Sequence, residues 1–307
     1  MAMLENLEEA EKRWLSTLSL HCNNLFEGVF LPSHDHLHHI RVWSHARRLI
    51  QLLDRSGIEL PDHLTEELII SVFFHDVGLI RTPGEQHGLE SRRLCEEFFE
   101  DHVSDQTGQE SKKVSRVSIP AVPAGDSLNR ILHAIEHHDD KSLKSGSAGI
   151  RPGVIPQLLG LLSASDDLDA FGKMGIYRYA EIYLLRGISP EELPGLVCDN
   201  VQNRYNNLKN IFGELKDFIN EQEGRFRQVY DFYLNLAQGY AGQDERPVWE
   251  PQLIRIIYNA LLREENLLET DRSLPETDFE TEIGDWFRAL DKENSGRDMI
   301  LKLVPVT

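Results

Sequence analysis

Two of the most apolar stretches in this chain run straight into acidic residues. LIISVFF, residues 68–74, is followed by His75-Asp76, and LLGLLSAS, residues 158–165, by Asp166-Asp167-Leu168-Asp169. A segment this apolar is buried on most of its sides when the chain folds. Ionisable groups carried at its end then enter the interior too, and an unpaired charge there is costly. Both ends therefore require a cation or a set of donors, and the fold must bring that compensation to them.

The periodicity around these stretches is helical. Helices are expected over residues 4–27, 36–55, 62–79, 87–101, 127–138, 154–169, 173–186, 190–222, 252–268 and 277–292. Pro32 and Ser33 break the first, Gly57 ends the second, and Gly78 and Pro83 close the third. Residues 103–126 and 139–153 are rich in Ser, Gly and Pro and read as long loops. No alternating strand pattern and no internal repeat appears. The expected class is all-α, with a helical core over residues 1–188 and a helical extension over 189–307. Tyr205, Phe212, Phe218, Phe226, Tyr230 and Tyr233 lie at helical spacing in that extension and read as packing residues.

Charge and cysteine content narrow the partners. The formal net charge is −19, which repels phosphate backbones, so neither nucleic acid nor an anionic membrane is an expected partner. A small anion is still admissible wherever a bound cation inverts the local field. Cys22, Cys95 and Cys198 include no CxxC pair and read as free thiols. The first residues, MAMLENLEEAEKRWL, are acidic and amphipathic rather than leader-like, so a cytoplasmic location is expected. The acidic stretch EENLLETDRSLPETDFETE reads as solvated surface that could also mediate homodimerisation.

All 13 histidines fall between His21 and His138. Neutral imidazole is a common ligand of transition metals, so the chemistry is expected in the N-terminal half. SHDHLHHIRVWSHA holds five of them, and His38 lies one turn before Val42 on the apolar side. His34, His36, His39 and His45 read as solvent-facing or hydrogen-bonding, and Arg41 as a surface or capping residue. His75 and Asp76 are adjacent, about 100° apart on a helix, and reach one ion only near the end of the helix axis. In ILHAIEHHDD, His133 and His137 share a face and His138 follows. Asp167 and Asp169 are placed to orient ligands from behind, although Asp169 could instead cap the next helix. Arg178 could contact a phosphate or pair with an acid, and Lys173 is a weaker candidate.

The order His, His-Asp, His-His, Asp on successive helices resembles the HD-domain superfamily of metal-dependent phosphohydrolases. HDHLHHIRV resembles the opening H-x-x-x-V motif, FFHDVGL the namesake pair, and SDDLDAFGKMGIYR the closing aspartate motif. The resemblance covers about residues 30–186 and includes a D-x-L-D-A-x-G-x-x-G-I-x-R ending found in a subgroup of small HD hydrolases. It implies one divalent ion (Mn, Fe, Ni, Co, Zn or Mg) held by His38, His75, Asp76 and Asp166. A second ion, as in some branches, would fall to His87 and His138, while His87, His133, His137 and Arg178 would bind substrate phosphate. The implied activity is hydrolysis of a phosphomonoester or nucleotide, with Asp76, Asp166 and Arg178 as the catalytic groups. Two alternatives stay open: a di-iron oxygenase on the same scaffold, and a non-catalytic nucleotide-binding module.

Overall fold

A computed structural model describes residues 2–84, 86–106, 123, 125–140, 157–241, 248–269 and 279–294. Among these the protein is all-α, with eleven helices and no strand. They are α1 (Ala2–Leu25), α2 (His36–Arg55), α3 (Asp62–Phe74), α4 (His87–Gln106), α5 (Asp126–His137), α6 (Leu158–Asp169), α7 (Gly172–Leu185), α8 (Leu193–Phe212), α9 (Lys216–Ala241), α10 (Glu250–Leu262) and α11 (Glu280–Asn294). A 3-10 turn, Val77–Ile80, follows α3.

Local signals set several of these limits. The Asp35 carboxylate caps α2 by accepting the Leu37 N–H at 2.9 Å. At its other end Gly57 adopts φ +72°, and the Ile58 N–H closes back on the Leu53 carbonyl. Helix α3 carries apolar side chains all round and is buried accordingly, from Leu68 to Phe74. Each such side chain contributes about 1.5–3 kcal/mol when fully buried, enough in sum to draw the His75-Asp76 end inside with it.

Several boundaries differ from the sequence expectation: α9 runs on to Ala241, past the expected end at 222, and α10 stops at Leu262 rather than 268. The helix expected over 190–222 is two helices, α8 and α9, which turn at residues 213–215 and pack on one another. The apolar stripe continues through that turn, so periodicity alone does not reveal it. Tyr205 of α8 and Phe226 of α9 stack across the pair with centroids 4.5 Å apart. The expected packing role of the extension's aromatics holds, with Tyr230 only half-buried. The expected helix over 62–79 stops at Phe74, and a 3-10 turn follows. Helix α4 runs on to Gln106, through the start of the loop expected from 103. The rest of that loop to residue 122, most of the loop at 139–153 and residues 270–278 of the acidic stretch lie outside the described residues.

Helix α6 is central. It packs on α2, α3, α5 and α8, while α7 packs on α9, α10 and α11. One apolar core runs from Met3 to Leu290 without a break at residue 188. All three cysteines are free, with Cys198 half-buried. No described helix is long and apolar enough to cross a membrane.

Two glycines let backbone elements meet where the histidines gather. A Cβ on Gly78 would lie 2.0 Å from the His87 carbonyl oxygen and 2.6 Å from the Ser91 nitrogen, while the Gly78 N–H donates to Ser91 Oγ at 2.8 Å. A Cβ on Gly88 would lie 2.5 Å from the Glu136 carbonyl oxygen. Bare backbone at both positions seats the start of α4 against the His75-Asp76 turn and against the end of α5. Gly78→Ala should therefore destabilise the protein by about 1–3 kcal/mol through overpacking. Gly195→Ala, on the exposed side of α8 with nothing within 4 Å, should instead stabilise it by up to about 1 kcal/mol. Urea denaturation of the two variants reads the opposite signs, and equal shifts would show that the Gly78 contact yields.

Candidate metal centre

The break between α3 and the 3-10 turn solves the problem of two adjacent ligands. His75 keeps helical angles, but Asp76 departs to φ −112°, ψ 3°. Both side chains can then face the same interior point. His38, on the buried side of α2, reaches that point with its Nε2 3.1 Å from His75 Nε2 and 3.3 Å from Asp76 Oδ2. Asp166, from the last turn of α6, places Oδ1 3.6 Å from His38 Nε2 and 3.8 Å from His75 Nε2. All four residues are buried, and their donor atoms lie close enough together to hold a metal ion.

Asp76 belongs to a second group as well. Its Oδ1 lies 3.0 Å from His138 Nε2, at the end of α5, and 3.3 Å from His87 Nε2, at the start of α4. Asp76, His87 and His138 are a further buried set with metal-binding spacing. One oxygen of Asp76 thus faces each group.

The imidazole orientations fit a metal rather than chance burial. His75 Nδ1 donates to the Val72 carbonyl at 2.8 Å, His87 Nδ1 to the Gly84 carbonyl at 2.9 Å, and His138 Nδ1 to the Ile135 carbonyl at 2.8 Å. His38 Nδ1 donates to Asp169 Oδ2 at 2.8 Å. In all four rings the Nδ1 proton is committed to an oxygen, which leaves Nε2 as the atom turned toward the shared carboxylates. Outer hydrogen bonds of this kind fix the tautomer and ring angle of metal-ligating histidines.

The electrostatics demand positive charge. Burial opposes ionisation of Asp76, yet His75, His138, His38 and His87 hold its carboxyl well below the usual range. Burial likewise opposes Asp166, and Arg204, Arg178 and His75 hold it low. Burial lowers His75 and His87, but the neighbouring carboxylates outweigh it and both are raised. At His138 burial wins over Asp76 and the pKa is lowered.

Behind the ligands lies a shell of ion pairs. Arg41 is buried, not on the surface, and its Nε donates to Asp169 Oδ1 at 2.9 Å while Nη2 donates to the Ser33 carbonyl at 2.8 Å. Asp169 therefore orients His38 from behind, and no side-chain cap forms at the start of α7. Arg178 Nη2 donates to Asp166 Oδ1 at 3.1 Å, and its Nη1 lies 3.2 Å from Asp169 Oδ2. His34, buried, hydrogen-bonds through Nδ1 with Glu181 Oε1 at 3.0 Å.

Other expected residues are placed elsewhere. His133 and His137 stack on one another on the outer side of α5, with centroids 4.6 Å apart. His133 lines a separate groove with His63 and Arg130, so neither is brought to the cluster. Helical spacing correctly pairs them, but their shared face points away from α3. Lys173 hydrogen-bonds Gln228 in another groove. Sequence reasoning missed Asn200, Arg204 and Asn207 of α8. Arg204 Nη1 donates to Asp166 Oδ2 and to Asp167 Oδ1, each at 2.7 Å, and Asn207 Nδ2 donates to Asp167 Oδ2 at 3.1 Å. Their signal was a polar stripe at i, i+4 and i+7 beside the apolar Val197, Val201 and Leu208.

Comparison with protein-family models, curated proteins and solved structures finds no match to this chain.

Glu181 offers a test that bears on the shell alone. Burial pushes its carboxyl up from 4.5 to about 8, so it is protonated at neutral pH and donates to His34. Between those two values the folded chain binds a proton that the unfolded chain releases, and stability falls as pH rises through that window. Glu181→Gln removes this dependence, so its stability relative to wild type should climb across the window. Urea denaturation at several pH values checks it; a constant difference would show that Glu181 is ionised throughout.

Proposed function

We propose that this protein is a metal-dependent phosphohydrolase of the HD-domain type, acting on a phosphomonoester or nucleotide. The observation that carries the reading is Asp76, whose two oxygens face two buried ligand groups, His38, His75 and Asp166 on one side and His87 and His138 on the other. The sequence resemblance across residues 30–186 points the same way.

His38, His75, Asp76 and Asp166 would hold one divalent ion, and Asp76, His87 and His138 a second. A divalent ion in such a site activates water and offsets charge on phosphoryl oxygens. The chain's own part is to position these groups and to supply cationic donors around them. Asp169 fixes the His38 ring, and the carbonyls of Val72, Gly84 and Ile135 fix the other three. Arg178 lines the adjoining cleft with His34, Tyr179 and Arg186, where a guanidinium can pair with phosphate oxygens. Phosphoryl transfer depends mainly on such positioning and charge stabilisation, so no covalent nucleophile is needed.

The same shared carboxylate also favours a second reading, a di-iron oxygenase, because that chemistry needs two adjacent ions too. Metal content separates them: two irons per chain with oxygen consumption selects the oxygenase, whereas hydrolysis supported by a redox-inactive ion selects the hydrolase.

Metal-loaded protein should hydrolyse members of a phosphate-ester panel, and Asp76→Ala should lower that rate by more than a hundredfold. Losing an outer partner of a metal ligand alone costs roughly 10–100-fold, and Asp76 serves both groups. Adding metal at about 100 times its Kd should stabilise the wild type by about 2.7 kcal/mol, a rise in Tm that Asp76→Ala and Asp166→Ala lose. Full metal-dependent hydrolysis in both variants would overturn the reading.

A further inference from the structure

The extension that follows residue 188 reaches the site through one guanidinium. Arg204 of α8 has three nitrogens with three different surroundings. Nη1 holds Asp166 Oδ2 and Asp167 Oδ1. Nε donates to Asn200 Oδ1 at 3.1 Å. Nη2 makes no hydrogen bond among the described residues; its carboxylate contact, Asp139 Oδ1, is 3.7 Å away at the exposed mouth of the cleft.

Asn200 is itself fixed. It accepts from the Tyr179 hydroxyl at 3.1 Å and donates through Nδ2 to the Tyr183 hydroxyl oxygen at 3.2 Å. The plane of the Arg204 guanidinium is therefore set from two sides, with its third edge left over. A counterion for Asp166 and Asp167 would need only Nη1. A planar fork that is held in place loses little freedom when it binds an oxyanion. The cleft it borders, together with Arg178, Tyr183 and Arg186, holds about 70 Å³, small beside the roughly 300–1,000 Å³ typical of drug-sized ligands.

Charge decides when that edge can act. Asp76, Asp166, Asp167 and Asp169 are four buried carboxylates, and Arg41, Arg178 and Arg204 three guanidiniums facing them. Metal ligation holds the imidazoles neutral, and the set apart from its ion then carries one excess negative charge. A single divalent ion reverses the sign.

We infer that Arg204, supplied by the C-terminal extension, is a substrate-binding residue that takes the phosphate of a compact phosphomonoester on its Nη2 edge once the metal is in place. The inference rests on the phosphohydrolase reading for its substrate class. It makes α8 of the C-terminal extension part of the site rather than an accessory to it, and it makes anion binding conditional on metal.

The test is calorimetric titration of the full chain with inorganic phosphate, with and without saturating divalent metal, alongside elemental analysis. Metal-loaded wild type should bind phosphate, and the metal-free protein should bind it at least tenfold more weakly. With metal held at saturation, checked by elemental analysis, Arg204→Ala should weaken phosphate binding by roughly tenfold and raise KM more than it lowers kcat. Arg204→Lys keeps the charge but loses the fork; it should show the same direction and carries the test if the alanine variant does not fold. Wild-type phosphate affinity in both variants would overturn the inference, as would phosphate binding that ignores metal. Asp76-dependent hydrolysis with unaffected Arg204 variants would sink this inference and leave the hydrolase standing. Phosphate binding that needs Arg204, in a protein that hydrolyses no ester, would do the reverse.

Discussion

Buried negative charge is the constraint around which this molecule is arranged. Asp76, Asp166, Asp167 and Asp169 are all withdrawn from water at the ends of two apolar helical stretches. Each buried ion costs several kcal/mol even after the protein relaxes, comparable to what two or three buried aliphatic side chains contribute. Removing partners from such a set is therefore far more damaging than its surface equivalents would be. The compensation comes from separate parts of the chain. Arg41 arrives on α2, Arg178 on α7 and Arg204 on α8, while imidazoles come from α2, the end of α3, the start of α4 and the end of α5. The convergence of these elements on one point follows from that need as much as from apolar packing.

The two kinds of compensation have different consequences. The guanidiniums are permanent charges that pair with Asp166, Asp167 and Asp169 and fix them in place. The imidazoles of His75, His87 and His138 are committed through Nδ1 to backbone carbonyls and turn Nε2 toward Asp76 and Asp166. The inner ring therefore still calls for a cation after the outer ring is satisfied. That residual demand is the physical link between the packing of the helices and the metal-dependent function we propose. Under that proposal a bound cation would invert the local field of a chain whose net charge is −19 and admit an anion at one place.

Much of this was legible beforehand, and the failures have specific causes. Helix α2 was located to the residue from its apolar periodicity and from Gly57 at its end, and the structure adds the Asp35 cap at its start. The inward facing of His38, and the interior acids after α3 and α6, followed from apolar periodicity. The turn between α8 and α9 was not legible, since the helical pattern of apolar residues passes through it. Arg41 was misread because a single charged residue on a helix is usually solvated; here its head group meets Asp169, which is 128 residues distant. His133 and His137 were read as site residues from the family resemblance and their shared helix face, and neither says which side of α5 meets α3.

The sequence by itself determined the all-α class, the position of the apolar helices and the residue types at their ends. These depend on local periodicity, capping and composition, which neighbouring residues settle. Only the tertiary structure decided that Asp76 faces two groups, that Gly78 and Gly88 bring α4 to it, and that Arg204 closes the ring around Asp166. Each of those depends on the relative placement of helices far apart in sequence. That placement is set by the packing of the whole core and by the balance of buried charge, neither of which any one segment carries.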